Sequence, residues 1–264
     1  MSSPEIPILY RDRHLVAVHK PAGMLVHRNP QIRDAGPPLL QRLRDQLRAV
    51  VFPVHRLDRP TSGVLVFALD VNTARGLGAA FAAGQVHKSY LAVVRGHTDA
   101  AGDIDYPLGA KRGLLGVPGS DRSGSAQSAR TRYRSLAQVE LPYAVGRYGT
   151  ARYGLLAVEP VTGRMHQIRR HMKHINHHLI GDTTHGDGVH NRFFRERFGC
   201  GRLLLAATGL ALRHPVTGVA VALHAAPNGA FRRVLVQLGW EAALAEYLRE
   251  LACAPIAEGS HPSA

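Results

Sequence analysis

Two patterns meet inside residues 53–70, and no single element of secondary structure can carry both. Val64-Leu65-Val66-Phe67-Ala68-Leu69 is an unbroken apolar run of strand length, the pattern of a strand covered on both faces. Immediately before it stands His55-Arg56-Leu57-Asp58-Arg59-Pro60-Thr61-Ser62-Gly63. Pro60 lacks an N–H and fixes its own φ, so neither a regular helix nor a central strand runs through it. Gly63 admits backbone conformations that a Cβ resists. The segment reads as a polar turn that feeds a buried strand and holds one carboxylate, Asp58, between Arg56 and Arg59. Neighbouring cations favour the ionised form of an acid. Local chemistry leaves two readings open, a working acid and a surface ion pair in a turn.

A chain of 264 residues can build a substantial core, as one large domain or two small ones. It carries 33 Lys+Arg against 19 Asp+Glu, a formal net charge of +14. That imbalance makes a polyanion the first partner to consider, nucleic acid or membrane surface alike. No apolar run approaches the roughly 20 residues that a membrane helix needs. The opening Met1-Ser2-Ser3-Pro4-Glu5-Ile6-Pro7 lacks the basic start and apolar centre of a secretion signal. Cys200 and Cys253 are too few for a disulfide framework or a thiolate zinc site. The expectation is a cytoplasmic protein with no membrane partner.

Short apolar runs at Ile8-Leu9-Tyr10 and Leu15-Val16-Ala17-Val18 predict two strands joined at Arg11-Asp12-Arg13 and closed by Lys20-Pro21-Ala22-Gly23. Leu39, Leu40, Leu43 and Leu47 share one face of a helix over 37–49. Asp70 can cap a helix over 71–83. Strands are expected at 86–95, 130–140, 151–159 and 202–214. Residues 97–129 have the composition of a surface loop, and 160–163 form a turn before a helix that starts at Arg164 and carries Met165, Ile168 and Met172 on one face. Residues 228–251 read as one helix with Leu235, Leu238, Ala242, Ala245 and Leu248 as its apolar positions. Residues 254–264 have the composition of a flexible tail. Periodicity alone supports an α+β fold.

Several stretches, taken together and in order, carry a resemblance. They are Lys20-Pro21-Ala22-Gly23-Met24-Leu25-Val26-His27-Arg28, the run from His55 to Ala68, Lys88-Ser89-Tyr90, Thr162-Gly163-Arg164-Met165-His166-Gln167-Ile168-Arg169, and the strand that begins at Arg202. Over residues 8–226 the chain resembles the RluA-type pseudouridine synthases. The resemblance implies a pseudouridine synthase fold, α+β, with a mixed, largely antiparallel sheet flanked by helices and a central cleft. Residues 1–253 would be the catalytic domain. It also implies an enzyme that breaks the N1–C1′ bond of a uridine, turns the base and rejoins it through C5.

The resemblance assigns roles residue by residue. Asp58 would be the catalytic carboxylate, acting at C1′ or on the 2′-proton. Tyr90 would meet the target base, with a flat ring to stack and an O–H to donate. Arg169 would pair with Asp58, since a guanidinium grips a carboxylate with two donors. A base must leave its helix to react, and Arg56 would fill or stabilise the gap. Arg59, Arg164, His166 and Arg170 are expected to contact RNA, and Leu204 or Leu205 to pack beside the base. The His27-Arg28 ending, His185 where many members have Tyr, and residues 191–199 resemble the branch that modifies uridine 65 of tRNA. Synthesis of pseudouridine in rRNA, and RNA binding without catalysis, are the alternatives. The isomerisation is redox-neutral and adds no group, so no cofactor is expected. A monomer is expected.

His166, His171, His174, His177, His178 and His185 crowd one segment, with Asp182 and Asp187 nearby. Imidazoles ligate zinc, but there is no His-Glu-x-x-His and no cysteine pair here. The expectation is phosphate contacts, caps and loop hydrogen bonds, and no metal.

Overall fold

The structure, a computed structural model, describes residues 4–28, 36–109 and 125–253. Most of the excursion read at 97–129 (residues 110–124) and the tail at 254–264 lie outside the described residues. In chain order the elements are β1 (Ile8–Arg11), β2 (Leu15–Lys20), α1 (Leu39–Leu47), β3 (Phe52–Pro53), β4 (Ser62–Ala68), α2 (Val71–Ala82), β5 (His87–Arg95), β6 (Ala101–Asp105), β7 (Leu108–Gly109), β8 (Ala126–Gln127), β9 (Arg130–Leu141) and β10 (Ala151–Pro160). Then come α3 (Gln167–His174), α4 (Gly188–Phe198), β11 (Leu205–Arg213), β12 (Ala220–His224), α5 (Gly229–Gln237) and α6 (Glu241–Cys253). None of these helices is long and apolar enough to cross a membrane.

The chain forms two compact units. Of the described residues, the first comprises 4–28, 36–90 and 205–253, the second 91–109 and 125–204. In the first unit β4 is central. It pairs with β2 antiparallel, from Leu15↔Ala68 to Lys20↔Gly63, and with β11 in parallel. β1 extends the sheet beyond β2, and β12 beyond β11, both antiparallel. All seven residues of β4 are buried. Leu65 and Phe67 pack with Val16, Val18, Leu39 and Leu43, while Val64, Val66 and Ala68 pack with Leu15, Ala17, Leu77 and Leu210. The unbroken apolar run follows from this double cover: α1 lies on one face, α2 on the other. Asp70 caps α2 by accepting from the Thr73 N–H at 2.8 Å.

Gly63 lets the parallel pair form. Its φ is +117°, and a Cβ there would lie 2.0 Å from the Ala207 carbonyl oxygen, on the residue it faces in β11. Gly63→Ala is expected to lower stability by about 2–3 kcal/mol, through both backbone strain and overpacking. A urea melt with an unchanged midpoint would show that β11 can move aside.

The carboxy-terminal helix expected over 228–251 is two helices. Gly239, at φ +73°, ends the first and restarts the period. In α6 the buried residues are therefore Leu244 and Tyr247, while Ala242 and Ala245 face solvent. Tyr247 reaches the sheet, with its hydroxyl 2.6 Å from Thr208 Oγ1.

In the second unit β9 and β10 pair antiparallel over nearly their full length, and β6 pairs with β9. β6, β7 and β8 lie in the stretch read as a loop. β6 buries only Ile104, too little apolar signal to mark a strand, and Asp103 secures it by ion pairs to Arg130 and Arg132. Helix α3 starts at Gln167, three residues later than Arg164. The reason is Gln167 itself: its Oε1 accepts from the Arg164 N–H and the Thr162 hydroxyl, which holds 162–164 as a turn. Met165 thus lies before the helix and is exposed, while Ile168 and Met172 are buried. The pairings given above, one parallel and the others antiparallel, and the flanking helices make a mixed, mostly antiparallel α+β fold.

Candidate active site

The loop between β3 and β4 is built from the core outward. Leu57 is buried in the cluster beneath β4, which sets the next residue, Asp58, at the edge of that core. The Asp58 carbonyl accepts from the Thr61 N–H at 3.0 Å and closes the turn around Pro60. Arg59 is locked to residues 20–24: its carbonyl accepts from the Gly23 N–H at 2.8 Å, and its Nε donates to the Gly23 carbonyl at 2.9 Å. Lys20, with 0% of its surface exposed, donates from Nζ to the carbonyls of Pro21, Met24 and Arg59. A cation set among carbonyls thus ties the Lys20–Gly23 turn to the loop that bears Asp58. Arg56 is exposed. Its charge, after burial, is the second cause that lowers the pKa of His27.

Tyr90, on β5, packs against the same core cluster. Burial, and then the charge of Asp58, raise the pKa of its phenol. The phenol and the carboxylate are therefore close enough to interact in this unit, though 32 residues separate them in sequence. Burial also lowers the Lys88 ammonium to about 8. His55 stacks on Phe81, ring centroids 4.4 Å apart, and its Nε2 accepts from the Val66 N–H at 3.0 Å.

Burial, followed by the charge of Lys88, lowers His55 to about 3 from 6.5. Below pH 6.5 the unfolded chain gains a proton at His55 that the folded chain refuses until the pH nears 3. Stability must fall as pH drops through that window. His55→Gln keeps an acceptor for Val66 but does not titrate. It is expected to make the acid limb shallower by about 1.4 kcal/mol per pH unit, read from urea midpoints between pH 6 and pH 4. Parallel limbs for the two proteins would show that His55 titrates normally.

In the second unit Arg169, 4% exposed, forks onto Asp182. Nε donates to Oδ2 at 2.7 Å, and Nη2 to Oδ1 at 2.8 Å. The Asp182 side chain is fully buried and also accepts from the N–H groups of Thr184 and His185. Burial works to raise its pKa, but the hydrogen bonds from Arg169, His185 and Thr184 outweigh it and bring the group to about 2. Asp182 was considered from sequence only as a possible metal ligand. The available signal was Gly181-Asp182-Thr183-Thr184, a pattern in which Asp binds backbone two residues on.

His166 caps α3 in a left-handed conformation, φ +54°, and its Nδ1 is 3.0 Å from His185 Nε2. Arg164 donates to the Ser128 carbonyl and Arg170 to the Gly109 carbonyl. Three of the other four histidines have separate tasks: His171 meets Thr131 and the Tyr106 carbonyl, His174 stacks on Tyr106, and His177 meets the Arg95 carbonyl. Among the described residues no three of His, Cys, Asp and Glu are grouped to hold a metal ion. Leu204 and Leu205 are both buried. The first bonds through its backbone to Ile180 and Val93, and the second opens β11.

Of the residues singled out in the sequence, Asp58, Tyr90, Arg56 and Arg59 fall in the first unit, and Arg164, His166, Arg169 and Arg170 in the second. Lys20 and Asp182 are the supporting groups that sequence reasoning missed.

Residues 14–174 match the RNA pseudouridylate synthase family. The tRNA pseudouridine synthase C of Vibrio cholerae serotype O1 is 47% identical over 239 residues, covering 90% of this chain and 98% of that protein. The protein of that name from Pectobacterium carotovorum is 48% identical over 242 residues, 92% of this chain, and the chain spans 64% of its length. Among solved structures, human RNA pseudouridylate synthase domain containing 4 superposes with a TM-score of 0.65 at 27% identity, over 88% of this chain and 93% of that one. Human RNA pseudouridylate synthase domain containing 1 shares the fold, with a TM-score of 0.68 at 23% identity, over 97% of this chain and 99% of that one. The chain belongs to the RNA pseudouridylate synthase family.

Proposed function

We propose that this chain isomerises a uridine of tRNA to pseudouridine in the cytoplasm, at uridine 65 in the acceptor-stem/T-arm region, with Asp58 as the catalytic carboxylate. The effect of the Asp58 charge on the Tyr90 phenol carries the reading: both groups belong to the first unit, and Asp58 stands in the loop that Arg59, Gly23 and Lys20 fasten. The relatives named for tRNA support the substrate class. In the reaction the N1–C1′ bond breaks, the base turns, C1′ bonds to C5, and the proton on C5 is exchanged for one on N1. Asp58 acts on the sugar, at C1′ or at the 2′-proton. Tyr90 lies against the flipped base. Arg169 is the proposed charge partner of Asp58, its guanidinium plane set by the fork on Asp182. Arg56, exposed at the loop edge, occupies the space the base leaves. Arg59, Arg164, His166 and Arg170 are the proposed contacts to the RNA.

Mapping pseudouridine in total RNA, with and without this protein, tests the assignment. One tRNA uridine is expected to lose its modification and regain it when the wild-type chain is restored. Loss in rRNA instead would move the substrate, and no loss in any RNA would refute catalysis.

A further inference from the structure

Helix α4 carries charge that the site above does not use. Its inner side is aromatic. Phe194 is buried against Tyr153, with ring centroids 4.8 Å apart, and His190 Nδ1 lies 2.8 Å from the Tyr153 hydroxyl. Phe193 and Phe198 complete the cluster. This packing fixes the rotation of the helix, and rotation decides which residues face water.

Three arginines follow from that rotation, and they differ. Arg197 is engaged: its Nε donates to the Tyr143 hydroxyl at 3.1 Å and its guanidinium lies over that ring. Arg192 and Arg195 are exposed, sit three residues apart on neighbouring turns, and make no hydrogen bond or ion pair with the described residues. Glu196 is the only acid from 188 to 201, so cations outnumber acids three to one there. The helix is also braced to the support of Arg169. Asn191 Oδ1 accepts from the Gly181 N–H at 2.7 Å, and its Nδ2 donates to the Asp182 carbonyl at 2.9 Å. Arg195 follows Asn191 by one turn, a rise of about 6 Å. A phosphate held by Arg195 would therefore be anchored on the element that braces the Asp182 loop.

We propose that Arg192 and Arg195 form a phosphate-binding face that holds the backbone of the RNA substrate. This rests on the reading of the chain as an enzyme acting on RNA. Guanidinium groups without an acid partner complement a phosphodiester backbone and release counterions when it docks. Such contacts add affinity irrespective of base sequence.

The test uses the full chain and an unmodified tRNA transcript. Arg192→Glu with Arg195→Glu is expected to raise Kd and KM about tenfold near 0.1 M salt, to leave kcat within about twofold, and to make the plot of log affinity against log salt shallower by about 1.5. Arg192→Lys with Arg195→Lys should keep most of the affinity. If the acidic pair melts early, Arg192→Gln with Arg195→Gln removes the charge without adding repulsion and should show the same directions. Unchanged Kd and slope in a folded variant would overturn the proposal and leave α4 a solvated or protein-facing surface. Weakened binding with an unchanged slope, shared by the lysine pair, would overturn it too, since packing rather than charge would then be the cause. A wild-type chain that modifies no tRNA fails the underlying reading. Wild-type turnover with indifferent variants fails this proposal alone.

Discussion

Asp58→Asn is expected to fold, to bind tRNA with near wild-type affinity, and to form pseudouridine at a rate lower by about 10³-fold or more. The substitution is close to isosteric. The loop has fastenings other than the Asp58 side chain. The turn is closed by the Asp58 carbonyl and Thr61 N–H, Leu57 is buried beneath it, and Arg59 is fastened to Gly23 and Lys20. The amide keeps the shape but can neither attack C1′ nor take a proton. Single-turnover assays on a tRNA transcript, with excess enzyme, separate chemistry from binding. Turnover within tenfold of wild type would remove Asp58 from the mechanism. Loss of the fold, seen as a lowered melt, would mean instead that the carboxylate is structural.

Arg169→Ala is expected to cost about 3–5 kcal/mol, the range for removing one partner of a buried ion pair. The residual Asp182 carboxylate would remain fully buried with two backbone N–H donors and no cation. The same pair has a signature in wild type. The folded pKa of Asp182 is about 2 against 3.8, so its stabilisation is complete above pH 3.8 and is lost as pH falls through the interval down to about 2. Asp182→Asn should abolish that acid-range loss. It also separates the two tasks of Arg169, because it weakens the support while leaving the guanidinium in place. A variant that lowers stability with a modest effect on rate assigns the pair to the fold, and Arg169→Ala should then lose far more rate than Asp182→Asn. An Arg169→Ala chain within 1 kcal/mol of wild type, by urea midpoint, would show that Asp182 is not held by that fork.

The proposed site residues were picked out by the motifs they share with the family, each a short local pattern whose chemistry alone left its role open. Asp58 stands in a turn defined by Pro60 and Gly63, and Tyr90 in an alternating strand two residues after Lys88. Their supports were not legible. Lys20 read as the first residue of a closing turn, and Asp182 as one more acid among histidines. A buried lysine or aspartate is identified by the carbonyls, N–H groups or guanidinium that surround it, and those come from distant segments. The helix at 228–251 failed for a related reason: Leu, Ala and Tyr continue through Gly239, and composition conceals a break that one left-handed residue makes.

The sequence by itself determined which segments leave water and which residue types meet in each motif. It marked the apolar run at 64–69 as a buried strand, which the structure ends at Ala68, and Asp70 as a cap for the helix after it, because periodicity and capping are local quantities; its motifs carried the resemblance to the family. Only the tertiary structure decided that β4 pairs in parallel with β11, that Gly63 is there because the Ala207 carbonyl leaves no room for a Cβ, and that the buried partner of Arg169 in its own unit is Asp182. Hydrophobic burial has no direction. It selects what is inside, but hydrogen bonds and close backbone contacts choose the partner, and those depend on where the rest of the chain has already folded.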